Sequence, residues 1–329
     1  MNKENIYIGI IGGAGYTGGE LVRLLINHPN AEIVFVQSKS NAGNFISDVH
    51  TDLLGDMALK FTDFISQDID VLFLCAGHGD AKKFLEINLL EDHIRIIDLS
   101  QDFRLTSNSQ FTNRNFIYGL PELNRDAIRS AKNIANPGCF ATAIQLGLLP
   151  LASEGLIKNE VHIHATTGST GAGQSLSATS HFTWRNNNLS VYKAFEHQHL
   201  AEIKESLIQL QKNLVPQLNF IPQRGSFTRG IFASMYTNCN LSLEEVYEFY
   251  GNFYLNHPFT YISTKNIDLK QVINTNKCLI HLERHEDKLF IVSMIDNLLK
   301  GASGQAVQNM NLMFGLEETT GLKLKASAF

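Results

Sequence analysis

The stretch IYIGIIGGAGYTGGELVRLL (residues 6–25) decides the fold of the first part of the chain. A strand-like apolar run leads into a glycine-rich turn, and a helical pattern follows. Gly13, Gly15 and Gly18 fit G-x-G-x-x-G, and Gly12 replaces Gly13 in the variant G-x-x-G-x-x-G. This order predicts a dinucleotide-binding site, because such a turn lets the backbone approach a pyrophosphate and the helix N-terminus attracts its charge.

The end of the second predicted strand indicates which dinucleotide binds. NAD sites usually carry a carboxylate there, whereas VFVQSKSNAG supplies Ser38, Lys39 and Ser40. Hydroxyls and an ammonium suit a 2′-phosphate, so the predicted cofactor is NADP; the alternative is that these are solvated loop residues. The predicted cofactor-binding residues of this region are Gly12, Gly13, Gly15, Tyr16, Thr17, Gly18, Ser38 and Ser40.

The two halves of the chain show different patterns, and together they predict an α/β protein. The first half alternates strand-like runs with helical patterns, which predicts βαβ units and a parallel sheet. Its strand-like runs are residues 6–11, 32–37, 70–76 and 95–100. The second half has more strands than helices, which favours a mixed or antiparallel sheet. Its strand-like runs are residues 161–167, 218–223, 228–237, 277–284 and 288–295.

Composition excludes several functional classes. The 329 residues are enough for two domains, and 44% hydrophobic with 18% charged residues is the usual balance of a soluble globular protein. A net charge of −5 without a basic stripe argues against a nucleic-acid partner, and no apolar stretch is long enough to span a membrane. The N-terminal residues lack the pattern of a secretory signal, so the expected location is the cytoplasm.

One of the four cysteines has a distinctive setting. Cys139 follows Pro137 and Gly138 and precedes the apolar run FATAIQLGLL, which predicts a thiol at a helix N-terminus, where the dipole favours the thiolate. With a nicotinamide cofactor this indicates thioester chemistry, in which the sulfur attacks an activated acyl group that is then reduced to an aldehyde. The alternative is a structural cysteine. The other cysteines are expected to be small buried hydrophobes: Cys75, Cys239 and Cys278.

Candidate partners of the thiol lie in other segments. HQHLAEI supplies His197 and His199 with Glu202 beyond, which suits acid/base chemistry; metal binding is the rival interpretation, without a further ligand at suitable spacing. Arg104 follows a predicted parallel strand and Arg229 precedes a later one. Guanidinium groups match phosphate and carboxylate oxygens, so both arginines are predicted to bind substrate, with a surface ion pair as the alternative for each.

Two further patterns leave alternatives open. The segment TTGSTGAGQSLS (residues 166–177) fits an anion-binding turn, a lid hinge or a plain flexible loop. His162 and His164 lie on a predicted strand and are expected to be a half-buried pair rather than a catalytic one.

These motifs together resemble the N-acetyl-γ-glutamyl-phosphate reductases, relatives of aspartate-semialdehyde dehydrogenase. The matching motifs run nearly from end to end: GYTGGELVRLL, SQDFRL, YGLPEL, NPGCFATA, GSTGAG, HQHLAEI, RGIFAS and DNLLKGASGQAVQNMN. The resemblance implies a Rossmann NADP-binding domain (residues 1–138 and 300–329) completed by the C-terminal helix. It also implies an α+β catalytic and oligomerisation domain with a mixed sheet (residues 139–299).

The same resemblance implies an activity and roles for residues. The family reduces an N-acylglutamyl 5-phosphate to the 5-semialdehyde with NADPH, releasing phosphate, in arginine biosynthesis. Cys139 is implied as nucleophile and His197 as acid/base. The remaining implied residues are Arg104, His199 and Glu202 in substrate binding or support, and Asn297 and Gly301 near the nicotinamide.

Several positions differ from the residues that are usual in the motifs of this family. Phe140 and Ala141 replace tyrosine and proline, Thr167 replaces serine, and Gln198 replaces a frequent arginine. The segment IPQRGSFTRG (residues 221–230) also differs from the common proline–histidine form. These departures leave the acyl group of the substrate open between N-acetyl and N-succinyl.

Two other functions remain as alternatives. One is a sibling dehydrogenase acting on aspartyl phosphate, and the other is a catalytically idle nucleotide sensor. A mixed sheet with one exposed face would often pair with a second copy, so a homodimer or homotetramer is expected.

Overall fold

The computed structural model describes residues 5–212 and 217–327. Expectations for residues 1–4, 213–216 and 328–329, including those for a leader sequence and for the outermost domain residues, lie outside this part of the chain. The described residues form two compact units: residues 5–137 with 302–323, and residues 138–301 with 324–327.

The described residues contain helices and strands in both units. In chain order they are β1 (Ile6–Ile11), α1 (Tyr16–Leu25), β2 (Ala31–Gln37), β3 (Val71–Leu74), α2 (Asp80–Ile87), β4 (Arg95–Asp98), β5 (Gln110–Phe111), β6 (Arg114–Tyr118), α3 (Pro121–Ser130), β7 (Asn133–Ala135), α4 (Cys139–Ser153), β8 (Val161–Thr167), α5 (Phe182–Arg185), β9 (Ser190–Val191), α6 (His199–Leu210), β10 (Leu218–Arg224), β11 (Ile231–Asn238), α7 (Leu243–Tyr254), β12 (Thr260–Ser263), β13 (Cys278–His285), β14 (Lys288–Ile295) and α8 (Gly304–Met313).

The first unit contains a seven-stranded sheet in the order β2-β1-β3-β4-β7-β6-β5. All of its neighbouring pairs are parallel except β5 with β6, which confirms the predicted parallel sheet. Its central strands are buried on both faces, as strands covered by helices must be. The C-terminal helix α8 packs on α1 and α3, so it completes this Rossmann-type unit as expected.

The second unit contains another seven-stranded sheet, in the order β12-β13-β14-β11-β8-β10-β9. It is mixed, because β8–β10 and β12–β13 are parallel while the other pairs are antiparallel. Helix α4 is buried over almost its whole length against β11, β14 and α6. On β11 buried side chains alternate with more exposed ones, so this sheet covers one face with helices and leaves the other face accessible.

Two structural details qualify the sequence expectations. Cys239 and Cys278 are buried as predicted. Cys75, the residue after β3, is intermediate in exposure, although burial of its thiol raises the pKa of Cys75 to about 12. Within the described residues, no helix combines the length and the apolar character needed to cross a membrane.

Candidate active site

The glycine turn after β1 requires glycine for steric reasons. Gly12 has φ of +74°, and a Cβ there would lie 2.6 Å from the carbonyl oxygen of Cys75. A Cβ on Gly13 would overlap the side chain of Val36. The chain can therefore make this tight return from β1 to α1 only without side chains at these positions.

The N-terminus of α1 is open to an anion. Gly15 is its N-cap in an extended conformation, no side chain caps the helix, and its first turn has no acidic residue. In the direction of a Cβ, Gly15 meets only the oxygen of Gly12, at 3.6 Å. Tyr16 and Thr17 begin the helix, and its unpaired N–H groups and positive dipole end fit a pyrophosphate.

The residues after β2 fit an adenosine 2′-phosphate. The Nδ2 of Asn41 donates to the hydroxyl oxygens of Ser38 and Ser40, each at 3.1 Å, and Lys39 is exposed beside them. Residues 37–41 include no carboxylate. The donors present fit NADP better than the carboxylate-dependent ribose contact of NAD.

Arg104 lies beyond the end of β4 and is fixed by the backbone. Its Nε donates to the carbonyl of Asn136 at 2.8 Å, and Nη2 donates to the carbonyl of Leu99 at 3.0 Å. Next to it, burial raises the pKa of Asp98 to about 7, although hydrogen bonds from Ser100 and the charge of Arg104 act against this shift. The predicted substrate-binding role of Arg104 stays a prediction.

In the second unit, Cys139 is the first residue of α4. Gly138 is the extended N-cap, and the first turn has no acidic residue. The thiol residue is half-buried, unlike Cys239 and Cys278. A Cβ on Gly301 would lie 2.9 Å from Cβ of Cys139, so Gly301 allows the chain after β14 to pass directly beside the cysteine.

The predicted acid/base residues gather around the start of α4. The N–H of Gly138 donates to Oε2 of Glu202 at 3.0 Å, and Oε1 of Glu202 lies 3.8 Å from Nε2 of His199. The rings of His197 and His199 are 4.6 Å apart, and the ring of Phe140 lies 5.4 Å from that of His197. The structure therefore brings the HQHLAEI segment to the residues on both sides of Cys139.

His197 is a buried, neutral imidazole. Burial, together with the smaller effects of the charges of Lys193 and Arg224, lowers its pKa to about 4. Its Nδ1 accepts a hydrogen bond from the N–H of His199 at 3.2 Å, so the ring proton of the neutral form is assigned to Nε2. His197 thus offers an Nε2–H donor at neutral pH.

A strained backbone segment leads into His197. Lys193 has φ of +48° and Phe195 has φ of +63°, a region that residues with a side chain seldom adopt. The N–H of Phe195 donates to the carbonyl of Phe220 at 2.8 Å, and that of Tyr192 to the carbonyl of Pro222 at 3.2 Å. These bonds hold the segment along β10, and strain of this kind is common at functional sites.

Sequence reasoning missed two residues of this cluster, Tyr192 and Arg224. The ring of Tyr192 lies 5.8 Å from that of His197, and the guanidinium of Arg224 lies 4.7 Å from the centre of the Tyr192 ring. Burial and, to a smaller extent, Cys139 raise the pKa of Tyr192 to about 12 against the opposing charge and hydrogen bond of Arg224, so its hydroxyl stays protonated. The one available signal was the unusual segment IPQRGSFTRG.

Two predicted site residues, Arg229 and Asn297, make hydrogen bonds and an ion pair with other residues of the second unit. Arg229 forms a two-point ion pair with the fully buried Asp296, with Nε–Oδ2 at 3.0 Å and Nη2–Oδ1 at 3.2 Å. Asn297 accepts from the N–H of Gly230 at 2.6 Å and donates to Oγ1 of Thr170 at 3.0 Å. These contacts fix the turn after β14, and the predicted substrate and cofactor roles of Arg229 and Asn297 stay predictions.

The histidines outside the cluster differ in exposure. His162 is half-buried and stacks on Tyr236 with ring centres 4.7 Å apart, while His164 is exposed. In the part of the chain that the structure describes, no group of three or more histidine, cysteine or carboxylate side chains could hold a metal ion.

Comparison with known families agrees with both units. A family model described as semialdehyde dehydrogenase, NAD binding domain, matches residues 7–131, and one described as semialdehyde dehydrogenase, dimerisation domain, matches residues 139–297. Among solved structures, aspartate semialdehyde dehydrogenase II from Vibrio cholerae, complexed with ASA, has a TM-score of 0.71 at 15% identity over 94% of this chain and 98% of that one. The Candida albicans enzyme with NADP gives 0.67 at 15% identity, over the same shares of the two chains. At such identities the likeness shows the fold.

Closer relatives identify the family. Proteins named N-acetyl-gamma-glutamyl-phosphate reductase from Bacteroides fragilis, Parabacteroides distasonis and Flavobacterium johnsoniae are 62%, 60% and 59% identical to this chain. Each match covers 98% of this chain and 100% of the relative. The chain belongs to the N-acetyl-gamma-glutamyl-phosphate reductase family, with the NAD-binding and dimerisation domains of semialdehyde dehydrogenases.

Proposed function

We propose that this protein reduces an N-acylglutamyl 5-phosphate to the 5-semialdehyde with NADPH, releasing phosphate, as a step of arginine biosynthesis. The observation that carries the proposal is the placement of Cys139 at the N-terminus of α4, which no side chain caps. Glu202 accepts a hydrogen bond from the N–H of Gly138, and the ring of His197 contacts those of His199 and Phe140. The family of the close relatives supports the same reaction.

Cys139 is the proposed nucleophile. The helix N-terminus favours the thiolate, and the absence of an acidic residue from its first turn leaves that effect unopposed. Sγ attacks the carbonyl carbon of the acyl phosphate, the carbon–oxygen bond to phosphate breaks, and phosphate leaves with its electron pair. The product is a thioester on Cys139, and N–H groups at the start of α4 stabilise the oxyanion that forms on the way.

His197 is the proposed donor to the reacting oxygen. Because its pKa is about 4, the ring is neutral at pH 7, and its Nε2–H can donate to the carbonyl oxygen as negative charge develops. Neutral histidines with a lowered pKa act as electrophiles in this way in other enzymes. Glu202 and His199 position this donor, since Glu202 ties the His199 ring to the N–H of Gly138.

The cofactor fits the residues of the first unit. When bound there, NADPH would supply the hydride that reduces the thioester carbon to the aldehyde, and Cys139 would leave as the thiolate. Gly12, Gly13, Gly15 and the start of α1 would hold its pyrophosphate, and Ser38 and Ser40 would hold the 2′-phosphate.

Assembly and location are part of the proposal. The accessible face of the second sheet carries Phe232, Ser234 and Tyr236 of β11, and the family model for this unit is a dimerisation domain. We expect a homodimer or homotetramer in the cytoplasm. Light scattering of the purified protein measures the assembly directly.

A steady-state assay in the reverse direction tests the function. The protein is given phosphate, NADP+ or NAD+, and the 5-semialdehyde of N-acetylglutamate or N-succinylglutamate. Phosphate-dependent formation of NADPH is the expected result. Turnover of aspartate semialdehyde in place of both substrates, or no turnover of any aldehyde, would overturn the proposal in favour of the sibling dehydrogenase or of a nucleotide sensor.

A further inference from the structure

Arg224 is the last residue of β10, beside the thiol cluster, and has an unmet hydrogen-bonding capacity. It pairs with Thr167 of β8 on one side and Ser190 of β9 on the other, so it lies at the edge of the sheet from which the GSTGAG segment leaves. Its guanidinium rests on the Tyr192 ring. Its Nε is buried, and within the described residues it has no hydrogen-bond partner.

The surroundings of Arg224 are positively charged. Arg185 is buried nearby, and its guanidinium donates to the carbonyls of Thr179, Asn188 and Arg224 and to the hydroxyl of Ser190. Lys193 donates to the side chain of Gln198 at 3.3 Å. None of the ion pairs in the described part of the chain includes Arg185, Lys193 or Arg224.

An anion from outside the chain would supply the acceptor that Arg224 lacks. Leaving a buried charged donor without an acceptor costs more free energy than leaving a neutral donor unpaired. A ligand that supplies oxygens to this Nε therefore gains binding free energy. The Nε edge of a guanidinium matches the two oxygens of a carboxylate. A chain of contacts links the residue after Cys139 to Arg224, since Phe140 contacts His197, His197 contacts Tyr192, and the Tyr192 ring carries the guanidinium.

We propose that Arg224 binds a carboxylate of the N-acylglutamyl substrate through its Nε edge, with Tyr192 orienting the guanidinium. This inference rests on the proposed function. Two carboxylates have the required chemistry: the α-carboxylate of the glutamyl group, which every such substrate carries, and the terminal carboxylate of a succinyl group. In the second case Arg224 would also distinguish N-succinyl from N-acetyl substrates.

The test compares Arg224→Gln and Arg224→Lys with the wild-type enzyme. Both variants are assayed with N-acetyl and N-succinyl glutamate 5-semialdehyde, with KM measured for the aldehyde and for phosphate. Arg224→Gln is expected to raise the KM for the aldehyde about 10- to 100-fold, with the KM for phosphate changed less than about threefold. Arg224→Lys keeps the charge but loses the planar fork, so it is expected to recover part of the loss. The matched control is Arg129→Gln, an exposed arginine paired with Asp126 on α3.

The two substrates separate the two carboxylates. An equal rise in KM for both aldehydes assigns Arg224 to the α-carboxylate, and a rise confined to the N-succinyl aldehyde assigns it to the succinyl carboxylate. An unchanged KM for both aldehydes, or a rise confined to phosphate, overturns the inference.

A binding measurement separates this inference from the proposed function. N-acetylglutamate and N-succinylglutamate are titrated calorimetrically into the wild-type protein and into the Arg224→Gln variant, whose folding is checked by thermal unfolding. Weaker binding to a folded variant supports the carboxylate contact even if no aldehyde is turned over by the wild type. Full turnover with equal binding to both proteins upholds the function and overturns the role of Arg224.

Discussion

The glycine turn after β1 and the cysteine cluster at the start of α4 are built from different parts of the chain. The turn consists of backbone within one short segment, and its requirement is the absence of side chains at Gly12 and Gly13. The cluster consists of side chains from segments around Cys139, His197 and Arg224, which meet only because β10 holds the segment before His197. A site made from local backbone can be recognised from one sequence motif, whereas a site made from distant side chains depends on tertiary structure.

The largest expected effect separates chemistry from cofactor binding. Cys139→Ser removes the thiolate and should lower kcat about a thousandfold or more, because no other group can form the thioester. NADPH binding, measured by fluorescence titration, should be unchanged, since the glycine turn is intact. Cys239→Ser is the matched control, because that cysteine is buried beyond the end of β11 and outside the cluster. A fully active Cys139→Ser variant would remove the basis of the mechanism.

The second prediction changes the glycine turn and leaves the cysteine cluster intact. Gly12→Ala places a Cβ 2.6 Å from a backbone oxygen at a positive φ, and should lower the free energy of unfolding by about 2–4 kcal/mol and weaken NADPH binding. Gly43→Ala has a similar φ of +90° with nothing within 4 Å, so it carries the conformational strain alone, about 1–2 kcal/mol. Urea unfolding of both variants measures the difference. Equal losses would mean that the contact with Cys75 is unimportant.

The third prediction concerns the position of the histidines. Glu202→Gln keeps an acceptor for the N–H of Gly138 but removes the charge beside His199, and should lower kcat about tenfold. Glu244→Gln, an exposed residue in the first turn of α7, is the charge-matched control. The kcat/KM profile against pH should change shape in the first variant only. Wild-type kinetics for Glu202→Gln would assign the carboxylate no role in the cluster.

The smallest effect is a pH dependence of stability. His197 has a pKa of about 4 in the folded protein, against the ordinary 6.5 in the unfolded chain. Between these values the unfolded chain binds a proton that the folded protein does not, so the free energy of unfolding falls as pH drops from 6.5 to 4 and this contribution levels off below 4. The contribution is about 1–3 kcal/mol. His197→Asn should lack it when urea unfolding is compared at pH 7 and pH 4.5; identical pH profiles would contradict the lowered pKa.

The sequence predicted the parallel sheet, the mixed sheet and the position of Cys139 because each follows from local periodicity or a local turn. The end of β3 at Leu74, one residue before Cys75, was not predictable from the apolar run alone. In the sequence, Arg224 looks like an ordinary surface residue at the end of a strand. It joins the cluster only because β10 pairs with β9 and with the segment that contains Tyr192. The ion pair of Arg229 with Asp296 likewise depends on residues brought together by the strand register of β11 and β14.

The position of α8 has a consequence for biosynthesis of the chain itself. This helix belongs to the first unit but follows the entire second unit in sequence, and its buried face packs on α1 and α3. At translation speeds of roughly 5–20 residues per second, the nascent N-terminal sheet waits about ten to thirty seconds for the helix that covers it. During that interval the apolar surface that α8 later covers is exposed to chaperones and to aggregation.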